Sequence, residues 1–167
     1  MADLNSIDRL QPCLLDRLFD DEPRRVSEAW QEKVVSLTRF KDGVKRDIEW
    51  LLNSKCHFDE LDETRFGEVK RSVLNYGVRD MTGLSSENIR AGKIERLIRD
   101  ALVRFEPRIL PSSLKVRHVP NDGQESALKK ISALEFEISG KVWAEPLPQD
   151  FLLRTEMLLE DGTVSVA

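Results

Sequence analysis

Apolar residues recur along this chain at two periods, and the change between them falls near residue 111. In the first part the spacing is helical. The stretch "LQPCLLDRLFDDEP" puts Leu10, Leu14, Leu15, Leu18 and Phe19 on one stripe. Pro12 suits a first helical turn, and the run from Asp20 to Pro23 ends the pattern. From Pro23 to Arg39 the chain holds Trp30, Val34, Val35 and Leu37 without a clean period, and reads as helix or linker. "DGVKRDIEWLLNSK" is clearer. Val44, Ile48, Leu51 and Leu52 recur at i, i+4, i+7 and i+8, with Asp42 as the expected N-cap and Asn53-Ser54 as the end. The strongest pattern runs through Ile94, Leu97, Ile98, Ala101, Leu102 and Phe105. Ser85 or Ser86 can cap it, and Glu95–Arg99 and Asp100–Arg104 are i,i+4 pairs in the favoured orientation. Pro107 stops it, because a proline disfavours the helical region for the residue before it.

Beyond Pro111 the period becomes 2. Leu114 and Val116 alternate with Lys115 and Arg117, and Leu134, Phe136 and Ile138 with Glu135 and Glu137. Phe151, Leu153, Thr155, Met157 and Leu159 then alternate with Arg154 and Glu156. These predict antiparallel strands. Asn121-Asp122-Gly123 begins a polar loop, Gly140 suggests a bulge or turn, and Glu145 to Pro148 form a connector. Asp161-Gly162 reads as a tight turn, with Thr163 to Val166 as a short last strand. Helices first and strands after predict an α+β fold, amphipathic helices packed on a small mixed or antiparallel sheet. The expected division is an N-terminal amphipathic segment over 1–23 and a single domain over 24–167.

Composition narrows the classes. At 167 residues the chain can bury one core. Acidic residues outnumber basic ones 30 to 26, which speaks against nucleic acid as the partner. No apolar run approaches the roughly 18 residues of a membrane span. The N-terminus lacks a basic region followed by an apolar one, so no secretory signal is expected, and Cys13 and Cys56 are expected to be reduced thiols in a cytosol.

The candidate chemistry centres on "RFEPRILP". A glycosidase needs two carboxylates about 5–10 Å apart, one with a raised pKa. Glu106 and Asp80 could be offered for that pair. Extended through Pro107, however, the chain points Glu106 and Arg108 to the same side. A nearby guanidinium favours a charged carboxylate, the wrong direction for a general acid. Cys56-His57 are neighbours in sequence only, and Cys13, Cys56, His57 and His118 match no zinc spacing, so neither a metal nor a cofactor is expected. "NYGVRDMTGLSS" lacks a phosphate-loop lysine and reads as a shaped turn before a helix.

Two features suit binding. The Leu14–Phe19 stripe is too short to be stable alone, and either folds onto its own domain or docks in a partner's groove. The last strand carries Thr163, Val164 and Val166 with no lysine, proline or charge to blunt its edge, so a second chain could add a strand there.

Six stretches occur in order: "LLDRLFDDEP", "VKRDIEWLLNSK", "SVLNYGVRDMTGLSS", "IERLIRDALVRFEPRILPSSLKV", "LEFEISGKVWAEPLP" and "FLLRTEMLLEDG". Together they resemble the TssE subunits of type VI secretion baseplates, and are similar to the contractile-phage baseplate wedge family labelled "lysozyme-like". The resemblance implies a structural subunit and no enzyme. It implies wedge partners TssF and TssG, TssK nearby, and the TssB/TssC sheath, with no nucleic acid and no membrane insertion. It implies a cytoplasmic place in a baseplate docked at the inner membrane. Residues 24–167 would form the wedge domain and 1–23 a partner-docking helix. Glu106, Pro107 and Arg108 match a family motif implicated in contacts with the wedge core. Leu14, Leu15, Leu18 and Phe19, with Thr163, Val164 and Val166, are the other expected partner contacts. The resemblance further implies that sheath polymerisation begins on this subunit by strand exchange. The alternative is a peptidoglycan-cleaving enzyme.

Overall fold

A computed structural model describes residues 13–18, 24, 36–58, 63–80, 91–120, 133–144 and 147–166. Its elements are α1 (Leu14–Leu18), α2 (Leu37–Asn53), α3 (Glu63–Arg71), a 3-10 turn at Val73–Asn75 and α4 (Ala91–Phe105). Four strands follow: β1 (Lys115–Val119), β2 (Ala133–Val142), β3 (Gln149–Leu158) and β4 (Val164–Val166). The expected α+β order, helices and then strands, is what forms. Leu10, Phe19, Ser85, Ser86, the loop from Asn121 and the start of the connector at Glu145 lie outside the described residues.

The second helix begins earlier than its apolar spacing suggested. Ser36, in extended conformation, accepts a hydrogen bond from the Arg39 N–H through its hydroxyl and caps α2. Asp42, the expected cap, lies inside the helix. Leu37 and Phe40 explain the shift, since they continue the Val44 stripe backwards at helical spacing. The end falls at Asn53, as expected.

The strands form a meander in the order β1-β2-β3-β4, every pair antiparallel. α2 packs against β4, α4 against β1, and the two helices against each other. Between helices and sheet lie Val44, Ile48, Leu51 and Leu52, then Ile94, Ile98 and Leu102, then Phe136, Ile138, Val142, Met157 and Val164, all buried. Each such side chain stabilises the fold by roughly 1.5–3 kcal/mol. Thr155, buried among them, donates its hydroxyl to the Phe136 carbonyl at 3.2 Å, so its polarity is satisfied.

Gly140 makes no bulge. It sits in regular register with Phe151, whose ring lies so close that an added Cβ would be 3.0 Å from it. The glycine is there for the ring. Asp161-Gly162 does form the tight turn, with Gly162 at φ 73° and the Leu158 N–H bonded to the Thr163 carbonyl at 2.8 Å. Upstream, Gly77 at φ 119° lets Val78 lie beside Lys55. Val78 N–H donates to Ser54 O, and Cys56 N–H to Val78 O, both at 2.9 Å.

Each outer strand of the sheet is held at one residue by a helix. On β1, the His118 N–H donates to Glu95 Oε1 at 2.7 Å. On β4, Asn53 takes both main-chain groups of Val164. Its Oδ1 accepts from the N–H at 2.9 Å and its Nδ2 donates to the carbonyl at 2.8 Å. At Val164 the last strand is therefore held, although nothing in its own composition blunts it. The guard comes from α2. The surface pairs expected on α4 also give way. Glu95 serves His118, and Arg104 donates to the Lys70 carbonyl at 3.3 Å.

Candidate interaction site at the end of the fourth helix

The site is built by stopping a helix inside the protein. The Glu106 N–H still bonds to Leu102 O at 2.9 Å, but Pro107 cannot continue the ladder. The chain turns, with Ile109 N–H on Glu106 O at 3.2 Å, and runs onto the end of β2. There Trp143 N–H reaches Arg108 O at 2.7 Å, and Leu110 N–H reaches Lys141 O at 2.9 Å. Glu106-Pro107-Arg108 is thus fixed by the helix on one side and the sheet on the other.

Glu106 is 4% exposed. Its carboxylate is filled by Arg108. The Arg108 backbone N–H donates to Oε1 at 3.1 Å, Nε to the same oxygen at 2.6 Å, and a terminal nitrogen to Oε2. That terminal nitrogen also reaches Asp47 Oδ2 at 2.7 Å. Asp47 turns its other oxygen to Arg46, at 3.1 and 2.8 Å. Arg46 in turn pairs with Asp16 of α1 and donates to Cys13 Sγ at 3.1 Å. Signs alternate along this chain of charges, from the end of α4 across α2 to α1. Each ion has an opposite neighbour, as buried charges require.

Titration behaviour follows this order. Burial works against the Arg108 charge, but Glu106 and Asp47 outweigh it and hold the guanidinium above its ordinary value. Arg46 is raised too, first by Asp16, against some burial, then by Asp47. Asp16 is held below the usual carboxylate range by Arg46 and then by Cys13. Tyr76 is raised by burial first, then by the negative charges of Asp47 and Glu106, with Arg108 opposing.

Beside the charges lies a groove of about 460 Å³. Trp50, Leu51, Tyr76 and Phe105 give it apolar walls, and Cys13, Asp47, Glu106, Pro107 and Arg108 complete its lining. Tyr76 meets Phe105 edge-on at 5.3 Å, and Arg46 lies 4.9 Å from the Trp50 ring. Trp50 stays 48% exposed and Pro107 is exposed, so the wall is open to a partner.

This geometry sorts the expected site residues. Glu106 and Arg108 do share a side, but Glu106 faces inward, and the outward members are Pro107 and part of Arg108. Both oxygens of the Glu106 carboxylate are taken up by Arg108, which leaves neither turned toward a substrate. Asp80 bonds to Lys55 at 2.8 Å. Both cysteines are free thiols, and the described residues contain no group of histidine, cysteine and carboxylate side chains able to hold a metal. On α1, Leu15 and Leu18 are exposed, Leu18 to 74%, while Asp16 faces α2; Leu14 belongs to the helix and Phe19 lies outside the described residues. Thr163 is exposed, Val164 buried and Val166 half-buried, and none of them lines the groove.

Sequence reasoning missed Asp47, Arg46, Asp16, Trp50 and Tyr76. One signal was available. Asp47 falls three residues after Val44 and four before Leu51, so α2 carries a carboxylate on the border of its apolar stripe. Such a residue needs a cation, and its partner is Arg108.

No helix among the described residues is long and apolar enough to cross a membrane. No curated protein and no solved structure matches the chain. Residues 38–147, from the first turn of α2 to the connector before β3, match the family of baseplate wedge protein gp25. The span contains α2 from its second residue, the whole of α4 and the Glu106-Pro107-Arg108 junction, and the chain belongs to the gp25 baseplate wedge protein family.

Proposed function

We propose that this protein is a structural subunit of a type VI secretion baseplate wedge, linking the wedge core to the first ring of the sheath. Family membership gives it a structural role in a baseplate. The finer reading rests on the resemblance to TssE and on one observation above all: the matched span ends α4 in a rigid, half-open junction beside an apolar groove. Glu106 acts from inside by fixing Arg108, and Pro107 stiffens the exit, which lowers the entropy lost when a partner binds. Pro107, Arg108 and Trp50 face the wedge proteins TssF and TssG, with TssK nearby. The exposed Leu15 and Leu18 of α1, with Leu14 and Phe19, extend that contact. The sheet, ending in Thr163, Val164 and Val166, faces the TssB/TssC sheath and starts its polymerisation by strand addition. The protein works without a cofactor, on the cytoplasmic side of the inner membrane.

Co-purification tests the assignment. TssF and TssG should be retained by the wild-type protein, and at least tenfold less by Arg108→Ala at a temperature where circular dichroism shows it folded. Retention of neither wedge protein by the wild type would remove the wedge reading. The competing enzyme reading makes a different forecast, in which purified protein digests peptidoglycan and Glu106→Gln abolishes it. The occupied carboxylate of Glu106 favours the structural role.

A further inference from the structure

The register of the sheet identifies a third edge besides those of β1 and β4. β3 pairs with β2 over its whole length, Gln149 to Leu158, but β4 covers it only from Thr155 to Met157. Main-chain groups alternate in direction along an antiparallel strand. Val164 points outward, since Asn53 holds both its groups, so Ser165 faces β3 and pairs with Glu156. The Leu158 N–H on Thr163 O has the same parity. Counting back along β3, Arg154, Leu152 and Asp150 also aim their N–H and C=O groups toward the β4 side, while Leu153 and Phe151 aim theirs at β2. The residue in register with Arg154 is Ala167, outside the described residues. At Asp150 and Leu152 no described strand lies on that side. There the Lys41 ammonium donates to Asp150 O at 2.7 Å.

Side chains at this stretch are left incomplete in the same way. Phe151 and Leu153 on the core face, and Phe40 beneath them on α2, pack against the core yet stay half-buried. On the opposite face Leu152 is 58% exposed. A row of main-chain donors and acceptors left open among the described residues, over a half-covered apolar row, needs a particular occupant. It needs an extended backbone carrying apolar side chains at every second position.

We infer that the acceptor edge for strand addition is this open half of β3, Gln149 to Arg154, in line with β4. The inference rests on the strand-addition reading above and names its site. The occupant is an extended segment of a sheath subunit with alternating apolar and polar residues. Its apolar side chains cover Phe40, Phe151 and Leu153, and its backbone pairs with Asp150 and Leu152. Among the described residues it displaces the Lys41 side chain from Asp150 O. On the β1 edge the His118 N–H is held by Glu95, and on the β4 edge both groups of Val164 are held by Asn53.

Proline substitution tests this edge without breaking the rest of the sheet. At residue 152 the lost N–H faces outward, so Leu152→Pro removes a donor from the edge and none from the β2–β3 ladder. With purified TssB/TssC heterodimer as the probe, Leu152→Pro should reduce capture at least tenfold and keep TssF and TssG. Val166→Pro, which removes the outward N–H of β4, should leave sheath capture within twofold of wild type. The opposite pattern, loss only in Val166→Pro, overturns the β3 edge while sparing strand addition. Capture unaffected by either variant overturns both, and leaves the wedge assignment to its own test. Amide exchange on the wild-type protein supplies a measurement independent of the variants' folding. In the free chain Leu152 N–H should exchange at least tenfold faster than Leu153 N–H, and adding the heterodimer should abolish the difference. Slow exchange at Leu152 in the free chain would mean that a segment of this same chain already fills the edge, and would overturn the inference.

Discussion

Arg108 closes on Glu106 across a single proline, so that three of its nitrogens donate to the carboxylate two residues earlier. The pair is of the buried kind, with the Glu106 side chain 5% exposed and that of Arg108 22%. Removing one partner leaves the other charge without compensation. Arg108→Ala should therefore cost about 3 kcal/mol, the low end for a broken buried pair, because Arg108 keeps some solvent contact. Lys55→Ala, which removes a half-exposed pair with Asp80, should cost about 0–1 kcal/mol. Urea denaturation of both variants reads the contrast, and equal midpoints would show the junction to be a surface feature.

Tyr76 is the one tyrosine of the chain, so absorbance near 295 nm reports it without assignment. Burial, then Asp47 and Glu106, raise its pKa above the ordinary 10.0 in the folded state. Its contribution to stability is complete below the unfolded value of about 10 and is lost as pH rises through the folded one. The folded protein should show a phenolate midpoint above 10 that falls to the ordinary value in denaturant. Asp47→Asn should lower the folded midpoint, since it removes a negative charge. A native midpoint already at the denatured value would contradict the packing of the groove wall.

Gly77 is required by geometry. At φ 119° a side chain is strained, and a Cβ there would stand 2.3 Å from the Ser54 carbonyl oxygen. That oxygen accepts the Val78 N–H, so it cannot retreat without breaking the link between the end of α2 and this turn. Gly77→Ala should destabilise by more than about 2 kcal/mol. Gly67→Ala, whose Cβ would meet nothing within 4 Å, should change stability by no more than about 1 kcal/mol. Thermal melts of the two variants separate a conformational demand from a general glycine effect.

These cases show what local pattern carries and what it does not. The α4 stripe from Ile94 to Leu102 and the period-2 runs of β2 and β3 state which face meets the core, and the structure packs those residues there, with Leu97, Leu134, Phe151 and Leu153 only partly buried. The pairing of Glu106 with Arg108 was also legible from their closeness in sequence, although the chain turns there, with Ile109 N–H on Glu106 O, instead of taking the extended path expected through Pro107. Contacts between distant residues were not. Asp47 meets Arg108 across 61 positions, and Asn53 meets Val164 across 111. No periodicity encodes either. Asp42 reads as a cap because it stands just ahead of Val44, the first residue of the evident stripe, whereas the real cap, Ser36, lies in a stretch whose helical period shows only once Leu37 and Phe40 are placed on that stripe. Gly140 suggests a bulge or turn by its residue type alone, but its role comes from the neighbouring strand, where Phe151 needs the space.

Asn53 makes the sharpest separable forecast, because its side-chain amide does for Val164 what a neighbouring strand would do. It supplies one acceptor and one donor to the outward groups of β4. Asn53→Ala removes both bonds and leaves Val164, 4% exposed, with two unmatched main-chain groups. A net value of about 0.5–1.5 kcal/mol per bond gives a cost of about 1–3 kcal/mol. Asn53→Asp keeps the acceptor for the Val164 N–H and loses the donor to its carbonyl, so it should fall between Ala and wild type. Amide exchange at Val164 should follow the acceptor alone, fast in the Ala variant and close to wild type in the Asp variant. The Ala variant also presents a bare strand edge, and should self-associate at concentrations where the wild type stays monodisperse by light scattering. If both variants exchanged at the same rate, Asn53 would be only the last residue of α2, and β4 would be held by its pairing with β3 alone.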